Sequence, residues 1–436
     1  MTENKSIWSE TAKKPRFSEL EGEKKVDVLV IGGGISGLLC LSRLKNAGVD
    51  CALVEAKEIC SGVTKNTTAK LTVQHGLIYD KIIKKYGYEV AKAYFTAQNS
   101  ALDEYKKLCA TIDCDFEEKT AYVYSLDDCK AILKEYEALS GIGYSAILSF
   151  DTPLPFEIAG AVGIEKQAQF HPLKFLNTMA ERLPIYENTK VIELRDNVAL
   201  TNKGKIRFEK AIVTTHFPFM NKYGAYFLKM YQHRSYVLAL DGAPDVDGMY
   251  IDEDKKGLSF RNYGGLLLLG GGSHRTGKQG GGWRELEDFA KKNYPNARIV
   301  TKWATQDCIT LDELPYIGRY SGKFSDIFVS TGFNKWGMTS SMVGAMVLSD
   351  LARGVKNDFA EIFSPQRSIL HPQLVVNAFE STVNLLTPTV PRCSHLGCAL
   401  KYNKQEHTWD CPCHGSRFTL DGEVIDNPAT DDKKNM

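Results

Sequence analysis

The stretch that most constrains the fold is Val26-Asp-Val-Leu-Val-Ile31, which runs directly into Gly32-Gly-Gly34-Ile35-Ser36-Gly37. A short apolar run of this kind suits a parallel strand buried on both faces. A helix-like segment follows, Leu38–Ala47, then Gly48 and a second apolar run, Cys51-Ala-Leu-Val-Glu55, ending in an acidic residue eighteen positions after Gly37. Each residue type has a task in a strand–turn–helix–strand unit that holds a dinucleotide. Gly32 permits the tight turn, Gly34 lets backbone approach a pyrophosphate, and Gly37 lets the helix pack closely on the strand. The helix N-terminus, with Ile35 and Ser36, then faces the phosphates, and Glu55 with Ala56 beside it meets the ribose. The complete βαβ context argues against a glycine loop with no ligand. The motif alone leaves FAD and NAD both open.

A second constraint sits at the other end. Cys393-Ser-His395-Leu-Gly-Cys398 is answered by Cys411-Pro-Cys413-His414-Gly-Ser416, with fifteen residues between His395 and Cys411. Two thiolates and two imidazoles brought together by two loops make a mixed Cys/His metal site. Zinc would take all four in one tetrahedron. A Rieske [2Fe–2S] centre would give both cysteines to one iron and both histidines to the other. Zinc needs only the ligands, yet each loop carries an extra cysteine, Cys398 and Cys413, placed to pair across the ligand loops. Gly397 and Gly415 allow tight turns around a bulky cluster, and the Ser416 hydroxyl can donate to sulfur. These boxes resemble those of the Rieske family, which implies Cys393, His395, Cys411 and His414 as cluster ligands. A zinc ribbon is the competing reading. Whether Cys398 and Cys413 form a disulfide stays open. Phe418 stands where high-potential respiratory Rieske proteins carry Tyr, so one hydrogen bond is lost and an intermediate potential is expected.

The 436 residues suit two or three domains, and a formal charge of +1 supplies no basic face for nucleic acid. No run of eighteen apolar residues occurs, and the N-terminus lacks the apolar core of a signal peptide. The expectation is a cytoplasmic protein without membrane insertion, beginning in a loosely held polar arm. Eleven irregularly spaced cysteines do not read as a disulfide framework.

Between the two constraints the chain is similar to the D-amino-acid-oxidase-type FAD oxidoreductases, the relatives of glycine and sarcosine oxidase. The residues that carry the resemblance begin with the hydroxyl-rich Ser61-Gly-Val-Thr64-Lys-Asn-Thr67-Thr68-Ala-Lys70, which in that family lies along the flavin. Phe170-His-Pro172 opens a helix Leu173–Leu183, Val191 stands where the family contacts adenine through backbone, and Ala211–Thr215 with His216 resembles a strand leading back to the cofactor. Leu314-Pro-Tyr-Ile-Gly318 and Phe328–Gly332, followed by Lys335-Trp336-Gly337-Met338-Thr339, resemble the closing flavin motif and a helix Thr339–Arg353. The resemblance implies FAD. A lysine near the flavin N1/C2=O edge would stabilise negative charge there, and Lys335 is the candidate; a solvated surface lysine is the alternative.

The expected fold class is α/β (α+β): a Rossmann-type FAD-binding domain (22–76, 151–216 and 306–360), an antiparallel-sheet substrate domain (77–150 and 217–305), a connector (361–390) and a minimal all-β Rieske domain (391–436). The first insert reads as helices Ile78–Ala110 and Asp128–Leu139 around a strand Ala121–Ser125, the second as mostly strands, and the connector holds a helix Leu374–Leu386. Gly272-Ser-His-Arg-Thr-Gly277-Lys278 nearly spells a phosphate-binding loop, but Gln279 replaces the magnesium-holding hydroxyl and Gly280–Gly282 interrupts the helix that should follow. His274 in this loop and Arg261, which could meet a substrate carboxylate, are further catalytic candidates; a hydrogen-bonded loop histidine and a salt-bridging arginine are the alternatives.

A substrate-oxidising flavin joined to a one-electron centre implies a dehydrogenase. It would oxidise a small amine, amino acid or related molecule and hand electrons singly to the cluster and then to an external acceptor protein. The reverse direction is also permitted. The alternative is an electron-transfer or redox-sensing protein without a small-molecule substrate.

Overall fold

The computed structural model describes residues 5–220, 223–389 and 391–433. The strand Gly22–Ile31 lies inside a sheet ordered Tyr316–Arg319, Ile327–Thr331, Gly204–Val213, Gly22–Ile31, Cys51–Val54 and Ile185–Tyr186. Neighbours run parallel except for the first pair. The last four residues of Gly22–Ile31 are all buried, as a strand covered on both faces requires. The helix on its glycine turn spans Ile35–Asn46, so it starts three residues before the predicted Leu38. It packs on the helix Gly337–Ala352. A methyl group at Gly37 would overlap the Gly32 carbonyl oxygen, which is why the helix sits so close to the strand.

The second sheet is ordered Arg298–Thr310, Met230–Asp241, Leu266–Arg275, Ser259–Tyr263, Met249–Asp252, Glu117–Ser125, Gly160–Gln169 and Lys70–Leu71. Its pairs are antiparallel except Met249–Asp252 with Glu117–Ser125. The predicted helix over Ile78–Ala110 is two helices, Tyr79–Tyr86 and Tyr88–Cys109, broken at Gly87. The predicted Asp128–Leu139 is Cys129–Gly141, with the Asp128 carboxylate accepting from the Ala131 backbone N–H at 2.9 Å. No helix follows Lys278 directly, as the glycines Gly280–Gly282 led one to expect; the next helix, Gly282–Asn293, starts at the last of them. The expected loose N-terminal arm is also corrected. Residues Ile7–Thr11 are helical, and Trp8 is fully buried with its indole N–H donating to the Thr67 carbonyl at 2.7 Å.

The C-terminal module is a four-stranded sheet, Lys401–Asn403, Thr408–Asp410, Arg417–Phe418 and Val424–Asp426. Its core holds seven buried apolar residues, four of them cysteines. So small a core needs support from outside the module. The connector helix spans Pro372–Leu386, its His371 side chain accepting from the Gln373 backbone N–H. Among the described residues no helix is long and apolar enough to cross a membrane.

Candidate functional site

A cavity of about 1160 Å³ lies between the two large sheets. One end is the glycine turn. Gly32, Gly34, Ile35 and Ser36 line it, with Glu55, Ala56, Thr64 and Val191 alongside. Glu55 accepts from the Gly33 N–H at 2.7 Å and the Lys57 N–H at 2.9 Å, bracing the turn, while burial pushes its carboxyl up. Thr64 Oγ1 accepts from the Ile35 N–H at the helix N-terminus at 3.1 Å. The Ser36 and Ser330 hydroxyls are buried with no partner among the described residues, and both line the cavity. A donor-lined cradle with orphaned hydroxyls at a helix N-terminus fits a dinucleotide phosphate. Gly37, Gly332 and Thr339 do not line the cavity. Thr339 instead donates to the Thr72 carbonyl at 3.0 Å.

The middle of the cavity carries Thr67, Thr68, Lys70, His75, Thr215, Lys335, Trp336, Gly337 and Met338. His75 stacks on Trp336 with ring centroids 5.0 Å apart, and its nitrogens meet Tyr94 Oη at 2.6 Å and Thr339 Oγ1 at 3.0 Å. Burial pushes its imidazole down to about 3. Lys335 Nζ donates to Ser273 Oγ at 3.3 Å, and burial pushes its ammonium down to about 8 against the pull of Asp307.

The second sheet supplies a polar group that sequence reasoning missed. His233 and Asp307 are cross-strand partners, and both line the cavity near Lys335. His233 Nδ1 is buried with no partner among the described residues, and burial, then Lys335, pushes the imidazole down to about 2. Burial pushes the Asp307 carboxyl up, opposed by His216 and Lys335. The signal in sequence was only alternation along Met230–Asp241 and Arg298–Thr310, which does not reveal which residues pair.

Two sequence candidates fall outside the cavity lining. Arg261 is fully buried, donating to the Thr68 and Ala69 carbonyls at 2.7 and 2.9 Å, its guanidinium 5.6 Å from the Trp8 ring centroid. It straps the loop that carries Thr67 and Thr68. His274 has Nδ1 at 3.0 Å from the Arg275 carbonyl and Nε2 at 3.0 Å from Tyr236 Oη. Tyr236 donates in turn to Glu406 of the C-terminal module at 3.1 Å.

In that module Cys393 lies against Cys411, and the sulfurs of Cys398, Cys411 and Cys413 are within 4.8 Å of one another. All are thiols in this structure. The His395 and His414 rings are 5.0 Å apart, edge to face. Both His414 nitrogens are buried without a partner among the described residues. The Ser416 hydroxyl touches the Cys393 thiol and accepts from the Ala429 N–H at 3.0 Å. Sulfurs on one side and an orphaned imidazole on the other suit the donor set of a [2Fe–2S] cluster with mixed ligation.

This pair of loops is clamped to the flavoprotein. Gln232 Nε2 donates to the His414 and Asn427 carbonyls at 2.9 and 2.7 Å, and Gln306 Nε2 to the Gly415 carbonyl at 2.8 Å. Arg275 donates to the Pro412 and Cys413 carbonyls, each at 3.1 Å. Phe217 lies 6.4 Å from the His395 ring and Phe227 6.0 Å from the His414 ring. Beside them Arg234, Glu406, Arg417, Asp410 and Asp426 form a buried ion network; Arg417 reaches Glu406 at 2.8 Å, Asp410 at 3.1 Å and Asp426 at 3.0 Å. Glu406, Arg417, Asp426 and Asn427 line the same cavity as the glycine turn.

Residues 27–351 match the model of the DAO family, FAD dependent oxidoreductase, and residues 367–436 that of the Rieske [2Fe-2S] domain. The chain is 34% identical over 487 residues to the putative Rieske 2Fe-2S iron-sulfur protein YhfW of Bacillus subtilis (strain 168), covering 97% of this chain and 96% of that one. It is 24% identical over 402 residues to gamma-glutamylputrescine oxidoreductase of Escherichia coli (strain K12), covering 81% and 90%. Glycine oxidase from Geobacillus kaustophilus superposes with a TM-score of 0.66 at 20% identity, covering 79% of this chain and 100% of that one. The cradle at the glycine turn and the paired boxes thus have their explanation in descent: the chain belongs to the FAD dependent oxidoreductase family and is an FAD flavoprotein carrying a C-terminal Rieske [2Fe-2S] domain.

Proposed function

We propose that this protein is a dehydrogenase for a small amine or amino acid. FAD in the cavity would supply two-electron oxidation of a C–N bond, and the cluster would accept electrons singly for delivery to a separate acceptor protein. The observation that carries this reading is the clamp. Thr215 lines the cavity, and Phe217, two residues on, meets the ring of His395. Two residues of chain span at most about 7 Å, so the cavity and the proposed cluster ligand His395 share one wall.

The chain's own groups support the substrate class. Lys335 offers an ammonium, Asp307 a carboxyl group and His233 a neutral imidazole to one cavity, a set of hydrogen-bonding groups suited to a molecule bearing both amine and carboxylate. Cys393, His395, Cys411 and His414 would hold the cluster, and the Ser416 hydroxyl would hydrogen-bond to its sulfur. A cytoplasmic setting fits eleven cysteines whose irregular spacing does not read as a disulfide framework.

The test is an anaerobic panel of amines and amino acids, read by visible absorbance and EPR. The expected result is bleaching of the flavin followed by reduction of the cluster. If no small molecule bleaches the flavin but a reduced carrier protein does, the protein is an electron-transfer module and the dehydrogenase reading fails.

A further inference from the structure

The connector helix Pro372–Leu386 is built inside out. Its buried residues are Asn377 and Asn384. Asn377 accepts from Arg275 at 3.1 Å and donates to the Leu228 carbonyl at 3.3 Å, and the Asn384 carbonyl accepts from the Ala399 N–H at 2.9 Å. Glu380 is the helix's sole charged residue, and it is paired with Lys278 at 2.7 Å. Val375, Val376, Phe379, Val383 and Leu386 follow one another at helical spacing on the outer side, 44–76% exposed. Leu370 extends the stripe at one end. Leu385 and Leu396 extend it at the other, where Leu385 lies against Gly397 in the first cluster box.

We propose that this face is the interface of a homodimer, with the helix of one copy packed antiparallel on its twin about a twofold axis. Two observations select a second copy over a passing redox partner. The stripe carries no charge to steer a transient encounter, whereas permanent interfaces are apolar and need none. Its size also fits: a stable interface takes about 800 Å² from each side, and eight large apolar side chains left 43–85% exposed supply area of that order. A stripe centred on one helix is self-complementary under a twofold axis. Leu396 lies between His395 and Cys398 in sequence, so the interface ends at the cluster loop of each copy.

Sedimentation equilibrium of the holoprotein tests this, with Phe379→Glu and Val376→Glu as variants. Leu420→Glu, an equally exposed leucine off this helix, is the control. Retained flavin and cluster absorbance shows that each variant is folded. The expected result is a dimer for wild type and control, and self-association weakened by about a hundredfold or more in both helix variants, as for a charge placed in an interface centre. A wild-type monomer at tens of micromolar overturns the proposal, whether it binds lipid vesicles or not. A dimer indifferent to both variants overturns it as well.

Discussion

At the scale of single residues, the proposed ligands Cys393, His395, Cys411 and His414, together with Lys335, matter most. Cys393→Ser is expected to abolish the iron–sulfur absorbance and EPR signal while the flavin spectrum persists, because the glycine-turn cradle contains no residue of either box. Lys335→Met is expected to lower kcat/KM by about 10², the usual effect of losing one electrostatic contact to a reacting centre. A pH effect accompanies it. Burial lowers the Lys335 pKa from 10.5 to about 8, so between these values the unfolded chain binds the extra proton. Stability of the cofactor-free protein should therefore rise with pH from about 8 to 10.5. Denaturant midpoints across that range should show a smaller rise in Lys335→Met than in wild type.

At the scale of elements, the legible parts were those whose chemistry is local. The run Val26–Gly37 announces a buried strand, a tight turn and a close helix in consecutive residues, and the cluster boxes do the same for two loops. Helices such as Pro372–Leu386 follow from their own periodicity and caps. What stayed hidden depends on partners distant in sequence. His233 meets Asp307 only because Met230–Asp241 pairs with Arg298–Thr310 in one register. Arg261 and His274 look available for substrate in sequence, yet one is consumed by the carbonyls of Thr68 and Ala69 and the other by Tyr236. Packing at the cluster loop gives the prediction at this scale. A methyl group on Gly415, at φ 89°, would overlap the Gln232 side chain. Gly415→Ala should therefore cost about 1–3 kcal/mol in stability. Lifting the loop should slow cluster reduction about tenfold or more, with flavin reduction unchanged, in stopped-flow absorbance.

At the scale of the whole molecule, the C-terminal module is a wall of the cavity that holds the glycine turn rather than a tethered appendage. The buried network around Glu406 holds it there. Burial alone would raise the Glu406 carboxyl, but the charges of Arg234 and Arg417 outweigh it and hold the value at about 2, below the ordinary 4.5. Its contribution is therefore present above pH 4.5 and lost as pH falls towards 2. Glu406→Gln should cost about 1.5–3 kcal/mol at neutral pH, since Arg234 loses its close carboxylate while Arg417 keeps those of Asp410 and Asp426. It should also flatten the acid limb of the stability curve, which urea unfolding at a series of pH values would measure. The central claim, that the cluster is fed by a flavin held in the same molecule and not by collision with another, is tested most directly by anaerobic single-turnover kinetics with a reducing substrate. Cluster reduction should follow flavin bleaching at a first-order rate that does not change with protein concentration; a rate proportional to protein concentration would overturn the claim.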